Sequence, residues 1–508
     1  MEDFLYAQVA DRLENLIRKG LLKTGDKLSS VRTLSREQGI SMSTAYKAYS
    51  QLEQRGLIEA RTKSGYYIRY SPRAYPGVPD PPAPADMRGL WPGAGERPAA
   101  MDVRRLSNAD ILDKVLTNLP DDTIVRFSLA TPSVELLPTA RLNKTLMEAI
   151  RRSPNSCVGY DQVQGNTLLR QQIALQAFRW GGSVKPEEVV TTHGCIEAVT
   201  LCLMAVTRPG DTVALETPTF FGLIRSVQSL GLNVLEIPGS PHTGVDLDYL
   251  ENAIVQSRTG ETTGAPRIKA CLFVPNFSNP LGACMPDGHK IRLVEMLERE
   301  NIPLIEDDIY GDLHFDQARP RTCKSWDTTG NVLLCASVSK SLAPGYRVGW
   351  CIPGRYTDKV ISLKRIHSIS STHPTHAAVG LFLANNRFDL HMRHLRKALH
   401  TQCLQYIQAI ARYFPKDTRV SQPRGGYVLW VEMNRAVHAL TLFQSAIGEK
   451  ISISPGPLFS MDDRYGHCMR LSFGQSFTPE IEKALRTLGR LVHQAIQEGS
   501  ERNETGER

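Results

Sequence analysis

Eight prolines crowd the interval 71–105 (Pro72, Pro76, Pro79, Pro81, Pro82, Pro84, Pro92 and Pro98), and neither a helix nor a sheet ladder propagates through so many missing amide donors. The interval divides the chain. Residues 1–70 fold on one side and residues 106–498 on the other, joined by a semi-extended linker or by a coil laid along the larger unit. Two units or more are expected in any case, because 508 residues exceed what one hydrophobic core holds. The last residues, 499–508, are polar and are expected to fray.

Composition narrows the class. With 41% hydrophobic and 22% charged residues the chain reads as globular. Its apolar runs, such as Ala270–Val274 and Val332–Ala336, suit buried strands and fall far short of the roughly 20 residues that span a bilayer. Met1–Gly20 mixes acids and bases without an apolar block, so no secretory signal is read there, and a cytoplasmic location is expected. The ten cysteines form no Cys-x-x-Cys pair; they read as reduced core thiols, and no metal is expected. Of the net charge of +8, half sits in residues 1–70, which hold 12 lysines and arginines against 8 acids. That bias suits a polyanionic partner.

Three helical patterns fill the first 55 residues. Leu5, Val9, Leu13 and Leu16/Ile17 make a core-facing stripe on the first. Ser30 is placed to cap the second, and Ser41 or Ser43 to open the third. On that third helix Ala45, Ala48, Tyr49 and Leu52 share one face, while Ser43, Thr44, Lys47 and Gln51 share the other. Two strands follow, Gly56–Arg61 and Tyr66–Ile68, joined by the basic turn Thr62-Lys63-Ser64-Gly65. Such a unit places its third helix in a major groove and its turn along the neighbouring backbone, with Arg32, Lys47, Arg61 and Lys63 meeting phosphates. The residues Gly25–Arg32, Ser41–Thr44 with Ala48 and Leu52, Gly56-Leu57-Ile58 and Gly65-Tyr66-Tyr67 resemble the GntR-type winged helix. Ser29 departs from that pattern, where proline is common.

Past the linker, short β-rich segments alternate with helical ones, which argues for an α/β domain with a mostly parallel sheet whose ligands sit at the strands' carboxyl ends. From about residue 389 to 498 the pattern suggests a smaller α+β lobe. Lys340, alone, would read as a solvated lysine. In company it reads differently, because pyridoxal phosphate needs a lysine amine, a carboxylate at its pyridine nitrogen, donors to its ring oxygen, an aromatic face and a phosphate cup.

Each of these needs has a candidate at a strand or helix end. Lys340 follows an apolar strand, between Ser337 and Arg347, both aimed at phosphate. Asp307 ends another strand and would pair with the pyridinium, and Tyr310 and Asn279 would reach the ring oxygen. Gly194 turns strand into helix so that the amides of Cys195 and Ile196 meet the phosphate, and Phe220 supplies the stacking ring.

Together these residues resemble the fold-type-I aminotransferases. The resemblance implies a homodimer in which Tyr160 reaches the neighbour's phosphate, and an Arg470 that grips a substrate carboxylate. Cys195, Ile196 and Glu197 depart from the family's small and glutamine-type residues, and Glu197 would bring an acid near a dianion unless it points away.

A winged helix, a proline-rich linker and an aminotransferase-like domain, in that order, resemble the MocR subgroup of bacterial regulators. The resemblance implies a transcription regulator that binds a double-stranded DNA operator and senses an amino compound, or pyridoxal phosphate itself, through the Schiff-base site at Lys340. A second reading stays open: a working aminotransferase, with Lys340, Asp307 and Tyr310 as its catalytic residues and a vestigial or autoregulatory DNA-binding domain.

Overall fold

The computed structural model describes residues 5–18, 22, 24–61, 64–69, 77, 123–258, 267–385 and 387–505. Lys63 and Thr62, most of the interval 71–105 and residues 106–122 lie outside the described residues. Within that interval Gly77 is described, and its carbonyl accepts the amide of Val420 at 2.7 Å.

The amino-terminal unit is built from α1 (Leu5–Arg18), α2 (Val31–Glu37), α3 (Met42–Gln54), β1 (Ile58–Arg61) and β2 (Gly65–Ile68). Ser30 Oγ accepts the amide of Thr33, and Ser41 Oγ that of Thr44, both at 3.1 Å, so Ser41 and not Ser43 caps α3. The strands pair antiparallel with Arg61 opposite Gly65. Gly65 lies at φ +110°, a backbone angle that residues with a Cβ rarely adopt. Ala10, Ile17, Leu34, Ala45, Ala48, Tyr49, Leu52 and Ile68 close the core of this unit, and Leu404, from the other end of the chain, is buried among them. Gln51, expected on the exposed face of α3, is instead buried, although Gln54 one turn on stays exposed.

The larger unit begins with β3 (Val125–Arg126), α4 (Thr139–Arg152) and α5 (Thr167–Gln176) and enters its sheet through β4 (Val190–Thr192) and α6 (Cys195–Val206). The alternation then runs β5 (Thr212–Thr217), α7 (Phe221–Ser229), β6 (Asn233–Ser240), β7 (Gly244–Val245), α8 (Leu247–Arg258), β8 (Ile268–Phe273), α9 (Asp287–Arg299), β9 (Leu304–Asp307), β10 (Val332–Ser337) and β11 (Gly349–Ile352). These strands form one eight-stranded sheet in the order β4-β11-β10-β9-β8-β5-β6-β7. The sheet is parallel except at β11 and β7. Its strands are buried along nearly their whole length, as helices on both faces require.

Helices α10 (Thr357–His367), α11 (His373–Ala384) and α12 (Arg387–Tyr413) lead to a small lobe of β12 (Arg419–Val420), β13 (Val428–Glu432), α13 (Ala439–Gly448), β14 (Ile451–Ser452), β15 (Ser454–Pro455), β16 (Cys468–Ser472) and α14 (Pro479–Thr505). Its four-stranded sheet, β12-β13-β16-β15, is antiparallel, and β14 pairs with β3 from the start of the unit. The fold is therefore a winged helix joined to a large, mostly parallel α/β sheet domain with a small antiparallel lobe. The tail differs from the sequence expectation, since α14 stays helical as far as Thr505. No helix among the described residues is long and apolar enough to cross a membrane. All ten cysteines are free.

Candidate functional site

Every residue expected to meet pyridoxal phosphate from the large sheet stands at a carboxyl end of a parallel strand, or at the start of β11, which runs the other way. Gly194 follows β4, Phe220 follows β5, Asn279 follows β8, Asp307 ends β9, Ser337 ends β10 with Lys340 close behind, and Arg347 comes just before β11. A mostly parallel sheet gathers its loops at that edge, which is why positions far apart in sequence meet there.

Lys340 is partly buried and donates to the carbonyl of Ala130 at 2.6 Å. Burial lowers its amine to about 8; Arg470 and Arg347 push it the same way and Asp307 opposes them. Asp307 is buried, and burial raises its carboxyl to about 6 although Cys195 and the amide of Ile309 both donate to it, at 3.2 and 3.1 Å. Asn279 bridges the next pair: its amide nitrogen lies 3.5 Å from Tyr310 Oη, and its Oδ1 accepts from Arg470 at 3.4 Å. Tyr310 in turn meets Tyr427 edge-on, with ring centroids 5.7 Å apart.

Arg470, on β16, is 1% exposed. Its guanidinium donates to the carbonyl of Ser128 and to Ser454 Oγ, the latter at 2.8 Å, while Nε has no partner. No carboxylate pairs with it among the described residues, and burial lowers its pKa to about 10. A buried guanidinium held by neutral oxygens alone is costly unless an anion completes it.

The cup expected to take a phosphate centres on Gly194. Helix α6 starts without a side-chain cap, so its first-turn amides, those of Cys195 and Ile196 included, have no partner within the helix. Arg347 donates to the carbonyl of His193 at 3.0 Å and to Ser339 Oγ at 3.3 Å, from a backbone held at φ +54°. A Cβ on Gly194 would stand 2.3 Å from that guanidinium, so glycine alone leaves the cup open. Glu197 accepts from the amide and ring of His193; burial works against its ionisation, but these bonds hold its carboxyl down at about 2. Lysine, buried acid, ring-oxygen donors and an uncapped helix start beside a guanidinium fit pyridoxal phosphate.

Other candidates land differently. The hydroxyl of Ser337 accepts the amide of Ser339 at 3.2 Å, and Ser339, which the motif reading passed over, is the serine in contact with Arg347. Phe220 leans on Phe221 with centroids 4.6 Å apart. Tyr160 is 84% exposed and does not join the site within its own chain. Tyr427 went unseen in the sequence because nothing near it marks a buried tyrosine as part of a strand-end site.

On the winged helix, Arg32, Ser43 and Lys47 are exposed and Thr44 is half-buried. Met42 and Tyr46 add exposed apolar surface to the same helix. Arg61 is held by Glu59 at 2.8 Å and lies over the ring of Tyr67, 4.4 Å from its centroid.

Residues 134–488 match the family model for aminotransferase class I and II, and residues 5–68 match that for bacterial regulatory proteins of the gntR family. The HTH-type transcriptional regulators YjiR and YdcR of Escherichia coli strain K12 are 34% and 33% identical to this chain, over 97% of it and 99% of each relative. The chain is a MocR-type regulator. As a member of that group it is a DNA-binding transcriptional regulator of the GntR family with an aminotransferase domain. Among solved structures, α-aminoadipate aminotransferase from Thermus thermophilus, complexed with N-(5'-phosphopyridoxyl)-L-leucine, is similar to this MocR-type chain at 25% identity and a TM-score of 0.68, covering 77% of this chain and 97% of the enzyme. Kynurenine aminotransferase of Pyrococcus horikoshii shares the fold at a TM-score of 0.69 and 22% identity, covering 81% of this chain and 98% of that one.

Proposed function

We propose that the aminotransferase domain binds pyridoxal phosphate at Lys340, and that the loaded regulator, a homodimer in the cytoplasm, senses an amino compound or the cofactor itself and so changes how it presents its winged helices to an operator. One observation carries the reading: the Lys340 amine lies within electrostatic reach of both the Asp307 carboxyl and Arg470, which is buried without a carboxylate partner among the described residues. An amine beside a buried acid and a guanidinium held only by neutral oxygens suits a ligand that has both an amino and a carboxylate group.

Pyridoxal phosphate supplies an aldehyde that condenses with amines. The chain would supply the rest. Asp307 holds a proton at the pyridine nitrogen, and Tyr310 and Asn279 fix the ring oxygen. Arg347, Gly194, Ser337, Ser339 and the amides of Cys195 and Ile196 hold the phosphate, joined by Tyr160 of a neighbouring subunit. Phe220 stacks on the ring, and Arg470 orients the ligand's carboxylate. DNA would be met by Arg32, Ser43, Thr44, Lys47, Arg61, Lys63 and the turn at Gly65.

Adding pyridoxal phosphate to the purified chain tests the first half. An absorption band near that of a lysine-bound cofactor is expected in the native protein and absent in Lys340→Ala. Calorimetric titration of DNA with and without candidate amino compounds tests the second half, and equal DNA affinity under every condition would sink the sensor. A working aminotransferase remains the alternative, favoured by the retention of Lys340 beside Asp307 and Tyr310. Steady turnover of amino and keto acids without DNA affinity at any salt would select it.

A further inference from the structure

We propose that helix α12 is the rod through which the state of the Lys340 site reaches the DNA-binding unit, with His391 near its start and Leu404 past its middle; the inference rests on the sensor reading above. His391 is buried near the start of this 27-residue helix. Its Nε2 lies 2.7 Å from the carbonyl of Ser341, the residue that follows Lys340. A carbonyl only accepts, so Nε2 carries the proton, and the bond ties the helix directly to the lysine loop.

The middle of α12 touches the second loop of the site. Arg396 Nε donates to the carbonyl of Asp312 at 2.6 Å, two residues beyond Tyr310. One turn on, His400 stacks on Phe315 with centroids 4.8 Å apart and planes 10° from parallel.

The adjacent stripe belongs to the winged helix. Lys397 reaches Glu53 at 3.8 Å, near the end of α3. Thr401 sits so close under Gly56 that a Cβ there would lie 2.9 Å from its hydroxyl. Leu404 is buried in the core of the DNA-binding unit. Positions 397, 401 and 404 are spaced i, i+4 and i+7, so they form one face, and 396 and 400 form the next. From His391 to Leu404 the helix carries a displacement over roughly 20 Å. A helix bonded to both loops of the site along its first half and wedged into the other domain's core from its middle onward cannot shift against one without loading the other.

The test reads hydrogen exchange of the amides of residues 52–58 in the full-length protein, with and without pyridoxal phosphate, while the absorption band monitors loading. In the native protein the cofactor is expected to change exchange there by about fivefold or more, the lower range of measured couplings. His391→Leu should keep the band and lose the difference, and His391→Gln, whose amide can donate to the same carbonyl, should restore it. Leu404→Ala, remote from the cofactor, should likewise keep the band and lose the difference. A band in the native protein with no change in exchange overturns the proposal, as does a difference that persists in both His391→Leu and Leu404→Ala. No band in the native protein overturns the proposal together with the sensor reading on which it stands.

Discussion

The thiol of Cys195 donates a hydrogen bond to Oδ1 of Asp307 across 3.2 Å, joining the first residue of α6 to the last of β9. The bond helps keep a buried carboxyl ionisable: burial raises it to about 6, and the thiol is foremost among the groups that lower it again. Below that value the group is protonated and no anion faces a pyridinium, so cofactor affinity is expected to fall as pH drops through 6. Cys195→Ala removes a donor to a charged group, which is worth about 1.5 kcal/mol or more, and should move that midpoint upward by about one unit. Absorbance titration of the loaded protein reads it, and an unmoved midpoint would deny the thiol this role.

Lys340 must be unprotonated to condense with an aldehyde, and its amine is lowered to about 8 by burial. The neutral fraction rises roughly tenfold per pH unit below that value and levels off above it. Stopped-flow measurement of cofactor uptake from pH 6 to 9 should follow that curve. Uptake still rising steeply above 9 would mean that the lysine keeps its ordinary basicity.

Replacing Arg470 by methionine removes the one guanidinium that faces the site from β16. Amines bearing a carboxylate should lose at least about tenfold in apparent affinity, the equivalent of 1.4 kcal/mol, whereas simple amines lose little. Spectral titration with an amino acid and with its decarboxylated analogue separates the two. Equal losses for both would make Arg470 a structural residue.

On the winged helix, Lys47→Ala is expected to weaken DNA binding about evenly across sequences and to reduce the salt slope of the affinity by about one. Anisotropy titrations at several salt concentrations check both. A change in sequence preference without a change in slope would assign Lys47 to base reading. Gly65→Val should disturb the turn between β1 and β2, because its φ of +110° strains any residue with a Cβ.

The parts of this architecture that were legible in the sequence are those written in local chemistry. A proline run breaks any fold, Ser30 sits where a helix must begin, and a lysine, an aspartate and an arginine each stand at the end of an apolar strand. The sheet order could not be read locally, yet it places all those strand ends on one edge, so the site emerged before the fold did. Contacts that depend on packing stayed hidden. Cys195 reads in sequence only for its backbone amide, so its thiol bond to Asp307 goes unseen, and Glu197 reads as an acid near a phosphate unless it points away, without sign of its bonds to His193. The sequence from about residue 389 pointed only to a smaller α+β lobe, and such a pattern does not say that two different domains lie against α12.

Leu404 has a consequence for how such a chain could arise. A leucine far beyond the winged helix in sequence fills part of that unit's interior, so the two halves are not interchangeable cassettes. A foreign DNA-binding module spliced onto the same linker would meet a side chain shaped for another host, and the donor module, excised alone, would be left with an open seam. Lineages that recombined these halves would have had to re-tailor that seam before the hybrid could work as one molecule.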